Sequence, residues 1–406
     1  MNSNQVLNPV SMLLRSHFHW KAVQSIYHRL TAHGYKAFLA GGCVRDALLG
    51  VEAQDLDIAT DATPDQIEEL FEKTVSVGKT FGVMRVLIDQ ADIEVATFRN
   101  DGSYKDGRRP DQIEFSTPKE DAQRRDFTVN ALFFDLQTEQ ILDFVEGQKD
   151  LKNHLLRTVG DPRQRFQEDH LRLLRGARFV AQLGFSIDEN TLQAMAEMAP
   201  LVKKVSGERL RDEMAKLLRS AHVSKGLQIM SQTGLMQELF PGKVGKTSWN
   251  PSGSKETWRN LSLFLRDLSS KELQDSLELL KLSVKERRSI EEAWHLWHSP
   301  DVFLKKRLGQ QLQDLQKDGI EWALTTLLSE DSHKTEIENI FVERKKTGIP
   351  LPKSFLTGED LKNHLQGEAI GQCLQEAYCL QLEGKITARD KALQWLQSYL
   401  QNKKAH

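Results

Sequence analysis

Asp55 and Asp57, one residue apart, are the first side chains in this chain whose spacing suggests chemistry. In an extended segment residues i and i+2 point to the same side, so the two carboxylates converge on one point. Hard oxygen ligands with room for water and phosphate suit Mg²⁺. A lone D-x-D is equally common on plain protein surfaces. Glu94 follows in Ile93-Glu94-Val95-Ala96-Thr97-Phe98-Arg99. An acid among strand-forming apolar residues is costly unless paired or metal-bound. Upstream stands Gly41-Gly42-Cys43-Val44-Arg45-Asp46, after a short apolar run. Paired glycines let backbone N–H groups approach an anion, and Arg45 adds a forked phosphate donor. A plain tight turn would use the same residues.

The elements that must position these residues read as mixed α/β. A helix over Trp20–His33 leads through Gly34 to the short strand Ala37–Ala40 and the turn at Gly41-Gly42. Leu56-Asp57-Ile58 alternates like a strand, and Thr63-Pro64 opens a helix running to Phe71. Met84–Ile88 and Ile93–Phe98 form a hairpin around Asp89–Asp92, and Asn100–Pro110 reads as an exposed loop. Beyond about Leu155 strand signals nearly vanish. Amphipathic helical patterns succeed one another there: Arg165–Leu183, Glu189–Met198, Glu208–Leu218, Lys225–Thr233, Leu261–Leu282, Val284–Trp297 and several more to Gln401. Asn250–Ser254 and Gly348–Pro352 read as linkers.

Taken together, the Gly-Gly turn, the D-x-D and the later strand carboxylate have the layout of a polymerase β-type nucleotidyltransferase. Two metal ions on such carboxylates can activate a 3′-hydroxyl and stabilise leaving pyrophosphate. Four motifs make the resemblance specific. Phe38–Asp46, Asp55–Thr60, Arg124–Leu132 and Arg165–Arg175 with Ala177-Arg178-Phe179 resemble, in order, the class II tRNA nucleotidyltransferase/poly(A) polymerase family. Gly207-Glu208-Arg209-Leu210 is similar to its fifth motif, and Leu356–Leu361 with Leu382–Arg389 look like its bacterial tail.

The resemblance implies an α+β protein: a small polymerase β-like head over residues 1–150, then an all-helical neck (151–222), body (223–300) and tail (301–406). It implies that Asp55, Asp57 and Glu94 are catalytic and hold two Mg²⁺ ions. Gly41, Gly42, Arg45, Arg125, Asp126, Asn130, Asp169, Arg172, Arg175 and Arg178 would bind the nucleotide. Arg125, Asp126 and Asn130 match the motif that recognises the ribose. Asp169 and Arg172 would form a protein template. Cytosine and adenine each present an amino donor beside a ring-nitrogen acceptor, which Asp and Arg complement; uracil and guanine present the reverse and leave buried groups unpaired. An ordinary i,i+3 ion pair on one helix face would use the same two residues.

The implied reaction is addition of C, C and A to the tRNA 3′ acceptor end from CTP and ATP. Poly(A) polymerase or A-only addition is the alternative within the family. Ser76–Val83 lacks the histidine-containing run associated with the poly(A) branch, and Arg108-Arg109-Pro110 resembles the flexible loop that A addition requires. A catalytically silent RNA-binding relative is disfavoured because every carboxylate and the Asp–Arg pair are present.

Composition fits this reading without demanding it. The 406 residues carry 55 basic and 57 acidic side chains, so no global basic field announces nucleic acid. Locally, Lys203, Lys204, Arg209 and Arg211 open a basic stretch that is either a solvated helix face or an RNA-contacting stripe. At about 150 residues per domain the length suggests two or three domains. No apolar run reaches the ~18 residues of a membrane span. Three cysteines build neither a disulfide framework nor a zinc site, which points to the cytoplasm. No protein partner is implied.

Overall fold

The computed structural model describes residues 8–101, 113–240, 242, 244 and 256–404. Its contacts divide the chain into two compact units, Met1–Gly253 with Ser269–Lys281, and Ser254–Leu268 with Leu282–His406.

The first unit opens with α1 (Pro9–Ser16) and α2 (Trp20–Ala32), followed by β1 (Ala37–Ala40), α3 (Gly42–Leu48), β2 (Ile58–Thr60) and α4 (Pro64–Leu70). Thr63 caps α4 in a capping box with Gln66 and Pro64 sits in its first turn, as the sequence signals. Next come β3 (Thr74–Gly78), β4 (Val83–Ile88), β5 (Ala91–Thr97), β6 (Arg99–Asp101) and β7 (Ile113–Phe115). Then follow α5 (Pro118–Gln123), β8 (Leu132–Phe134), β9 (Ile141–Asp143), α6 (Gly147–Lys152) and β10 (Leu155–Leu156).

Seven strands form one mixed sheet in the order β3-β4-β5-β2-β1-β8-β9. The β4–β5 turn is tighter than the sequence suggests: Asp89 and Gln90, both at positive φ, join strands that extend to Ile88 and from Ala91. Strands β2 and β5 run parallel with Ile58 opposite Val95. Ile58, Met84, Val86, Ile93 and Val95 are buried on one face. The period-2 alternation leaves Asp57, Arg85 and Glu94 on the other.

The helical part of this unit follows as α7 (Pro162–Glu168), α8 (Leu171–Leu183), β11 (Ser186–Ile187), α9 (Glu189–Met198), α10 (Gly207–Leu218), α11 (Val223–Gln232) and α12 (Leu235–Leu239). The continuous helix expected over Arg165–Leu183 is two helices. Asp169 is extended at φ −139°, and α8 restarts at Leu171. The pattern expected over Leu261–Leu282 is likewise broken, into helices Thr257–Phe264 and Ser270–Leu279, the second capped by Ser269 with Glu272. Gly207 lies so close to that second helix that a Cβ would stand 2.0 Å from the Leu279 carbonyl oxygen.

The second unit is helical among its described residues. Helices Val284–His298, Asp318–Ser329 and Lys334–Thr347 enclose a core that includes Leu296, Trp297, Leu324 and Ile337. Glu368–Leu382 and Arg389–Lys404 enclose another with Leu361, Cys373 and Leu396. No described helix is long and apolar enough to cross a membrane.

Candidate active site

Asp55-Leu56-Asp57 lies just before β2 rather than within it. Leu56 is buried and anchors the segment, while the Ala40 N–H donates to the Asp57 carbonyl and carries the β1 pairing one residue further. Because β2 and β5 are parallel and in register, Asp57 stands beside Glu94 on the open face. Burial first, then the charges of Glu94 and Asp55, push the Asp57 carboxyl up to about 7 against the pull of Arg125. Burial also raises Glu94, with Asp55 adding to the shift and Arg85 and Arg125 opposing it. Asp55 thus acts electrostatically on both, although it is exposed and does not line the cleft. Among the described residues no three acidic, His or Cys side chains already stand in ligating geometry. The donor set nevertheless suits a divalent cation: hard oxygens only, on one face, with negative charge their surroundings do not neutralise.

A second brace was not foreseen from the sequence. The His19 backbone N–H donates to His17 Nδ1, so the neutral ring carries its proton on Nε2 and donates to the Gln54 carbonyl at 3.3 Å. The segment before Asp55 is thereby tied to the N-terminal helices. No motif signals it, because the contact spans 37 residues.

Asp57 and Glu94 open onto a cleft of about 540 Å³. Gly41, Gly42, Arg45, Arg125, Asp126, Asn130, Asp169, Arg172, Arg175 and Arg178 all line it. The Gly-Gly turn is no ordinary turn. Gly41 has φ +76°, and a Cβ there would meet Arg125 Nη1 at 2.9 Å. From Gly42 the chain enters α3, whose Arg45 is buried and donates to Asn130 Oδ1 at 2.6 Å. Asn130 Nδ2 donates to Asp126 Oδ1, and Arg175 from α8 grips Asp126 Oδ2 through Nε at 2.8 Å and Nη2 at 2.5 Å. Burial opposes ionisation of Asp126, but Arg175 and Arg172 outweigh it and hold the carboxyl well below the usual range. One chain of charge-assisted bonds thus fixes the sheet's end against α8. Asn130 sits in a buried 3₁₀ turn, not on a helix surface.

Phe179 organises the far wall. The Arg178 guanidinium lies 3.6 Å from its ring centroid, with Arg175 at 5.2 Å and Arg45 at 5.6 Å. Glu213 of α10 accepts from Arg178 Nε at 2.5 Å. Glu213 carries no motif signal of its own; it belongs to the machinery by packing.

Asp169 and Arg172 both face the cleft, but they do not form the i,i+3 side-chain pair open to a single helix. Asp169 Oδ2 accepts from Arg209 Nη2 at 2.7 Å. Arg172 donates to Glu168 Oε2 at 2.7 Å, to the Arg165 carbonyl at 3.1 Å and to the Arg124 carbonyl at 3.0 Å. The helix break at Asp169 is what separates them. Arg209, expected on an open RNA-contacting stripe, instead lines the cleft. Lys203 pairs with Glu238, Lys204 is exposed, and Arg211 pairs with Asp212. Arg99 and Arg124, absent from the expected set, bring the arginines of the lining to eight against four carboxylates, while Asp46, Asp121, Glu168 and Glu213 behind it pair with Arg45, with Arg124 and Arg125, with Arg172 and with Arg178. Arg108 and Arg109 lie outside the described residues.

Residues 37–157 match the Poly A polymerase head domain, and residues 184–243 match the family described as probable RNA and SrmB-binding site of polymerase A. The chain is 39% identical over 402 residues to the CCA-adding enzyme of Enterococcus faecalis, covering 92% of this chain and 94% of that one. It is 35% identical to the enzyme of that name from Bacillus velezensis, covering 93% and 98%. A match to the Bacillus pumilus CCA-adding enzyme reaches 48% identity but spans 53% of this chain and 54% of that one. In fold it is similar to the crystal structure of the Bacillus stearothermophilus CCA-adding enzyme in complex with CTP. That likeness has a TM-score of 0.75 and 26% identity, covering 96% of this chain and 99% of the other.

Proposed function

Because this chain belongs to the family of CCA-adding enzymes and poly(A) polymerases, we propose that it adds C, C and A to the 3′ end of tRNA from CTP and ATP, releasing pyrophosphate. The observation that carries this reading is the meeting in one cleft of the Asp57–Glu94 carboxylates, the arginine wall, and Asp169 with Arg172. Asp55, Asp57 and Glu94 would hold two Mg²⁺ ions, which when bound activate the primer 3′-hydroxyl and stabilise the pyrophosphate leaving group. Gly41, Gly42 and Arg45 cradle the triphosphate. Asn130 and Asp126, held by Arg45 and Arg175, address the ribose. Asp169 accepts from the exocyclic amino group and Arg172 donates to the ring nitrogen, the one pattern that cytosine and adenine share. Both template groups are already oriented by protein partners, Asp169 by Arg209 and Arg172 by Glu168 and two backbone carbonyls, so little ordering is left for the nucleotide to supply.

The functional division we propose is a catalytic head to residue 150, a templating neck to 222, an RNA-binding body to 300 and a tRNA-binding tail to 406; the compact units follow other bounds and divide the chain within 223–300. The cytoplasm is the proposed compartment, supported by three buried cysteines, all outside any disulfide. The test is single-nucleotide incorporation with labelled CTP, ATP, UTP or GTP on tRNAs ending before CCA, after C and after CC. The reading requires C on the first two and A on the third. Repeated A addition on every primer would move the chain to the poly(A) branch.

A further inference from the structure

We propose that the open face of β3, β4 and β5 is the platform on which the tRNA primer's terminal nucleotides lie, with Arg85 contacting a primer phosphate. This inference rests on the reading above and adds a location that no motif carries. Asp57 divides the sheet face in two. On one side of β2 lie β1, the Gly41-Gly42 turn and Arg45, which take the triphosphate in the reading above. On the other lie β5, β4 and β3. Attacking and leaving oxygens must stand roughly in line across the α-phosphorus. With pyrophosphate leaving toward the Gly-Gly side, the 3′-hydroxyl has to arrive from the β5 side.

The register shows what it would meet there. Glu94 is opposite Arg85, and Arg85 is opposite Val75, so one row runs Asp57, Glu94, Arg85, Val75 from the carboxylates to the sheet edge. Val75 and Leu87 lie on this face and are 44% and 38% exposed, while Val77, at the register shift between Ser76 and Gly78, is 59% exposed. Sheet edges ordinarily carry charge rather than exposed β-branched residues. Apolar faces of this kind suit unpaired bases, which a primer's single-stranded end presents. Arg85 is the cation in the row and is exposed. Its Nε donates to Asp92 Oδ1 at 2.6 Å and its Nη2 to Asp92 Oδ2. A guanidinium has five N–H donors, so this pair leaves an edge that can meet a phosphate.

The competing account is that Arg85 and Asp92 form only a cross-strand ion pair. The two accounts part on paired variants. With wild-type protein, Arg85→Ala and Asp92→Asn, we would measure KM for a tRNA ending before CCA, KM for CTP, and the salt dependence of tRNA binding. On a primer platform Arg85→Ala raises the tRNA KM about tenfold, leaves the CTP KM unchanged and lowers the log–log salt slope by about one. Asp92→Asn, which frees the guanidinium, leaves the tRNA KM unchanged or lower. Val75→Ser weakens tRNA binding without altering that slope. If both charge variants weaken tRNA binding alike, or neither does, the inference is overturned. It is overturned equally if sedimentation shows a second copy of this chain covering the face. Failure of the wild-type protein to extend tRNA would instead overturn the proposed function, so the two failures are distinct.

Discussion

Charge at single atoms decides what the cleft can do. Asp57 sits beside Glu94 with its carboxyl raised to about 7, so a cation bound beside it would favour the ionised form. Asp57→Ala should lower incorporation of CTP and ATP by at least about a thousandfold, because it removes a ligand of the proposed two-metal site, while the thermal unfolding midpoint stays near wild type. Activity within tenfold of wild type would place the metal elsewhere. Selectivity is a separate matter at the same scale. Arg172 is fixed by Glu168 and two backbone carbonyls, and Asp169 by Arg209. Arg172→Ala should reduce discrimination against UTP and GTP by about two orders of magnitude, more than it slows turnover with CTP. The check is the ratio of kcat/KM for the four nucleotides on one primer. A uniform loss with C and A preference intact would make Arg172 a purely structural residue.

At the scale of elements, the cleft depends on helices brought very close to one another. Gly207 opens α10, the helix that carries Arg209 into the cleft and Glu213 against Arg178 behind it, and its Cα packs against the end of Ser270–Leu279. Gly207→Ala would drive a methyl group into a backbone carbonyl that cannot swing away. We expect a loss of about 2 kcal/mol or more of stability by chemical denaturation. A weaker KM for CTP should accompany it, because Arg209 and Glu213 shift together. An unchanged denaturation midpoint would mean that the two helices separate freely. In the second unit, Arg307 joins helices Leu308–Asp314 and Glu368–Leu382 through Glu376 and Glu383. Burial would raise Glu383, but hydrogen bonds from Arg307 and Lys385 outweigh it and hold the carboxyl at about 2, below the ordinary 4.5. A depressed carboxyl stabilises the fold above its unfolded value, and that contribution disappears as pH falls from about 4.5 toward 2. Glu383→Gln should therefore flatten the acid limb of the pH–stability curve over that window. An acid limb superimposable on wild type would remove this cluster from the titration.

For the whole molecule, net charge is a poor guide. The chain is formally −2, yet eight arginines gather along one cleft. Counterion release follows the local phosphate contacts, not the global sum. Affinity for tRNA should accordingly fall by orders of magnitude between about 50 and 200 mM salt if about six phosphates are contacted. A flat binding isotherm series across that range would contradict phosphate-dominated binding.

Much of this was legible in the sequence because it is local. The D-x-D, the Gly-Gly turn, the capping box at Thr63 and the β4–β5 hairpin all depend on neighbours within a few residues, and local preference and final structure agree there. Twelve of the thirteen residues expected at the metal and nucleotide line one cleft; only Asp55 stands outside its lining. What the sequence could not decide concerns partners far apart in the chain. The periodicity did not break the helix at Asp169, where Oδ1 accepts from the Leu171 N–H and Oδ2 meets Arg209 forty positions later. Nor could it find the His17 brace on Gln54, the place of Glu213 beneath Arg178, or the row from Glu94 to Arg85. Each arises when elements with their own local logic are pressed together, and buried charges then take whichever partner lies within hydrogen-bond reach. Residue types and spacing determined the chemistry available to this chain. Only packing decided which guanidinium meets which carboxylate, because that choice is made by distance in space and not by distance along the chain.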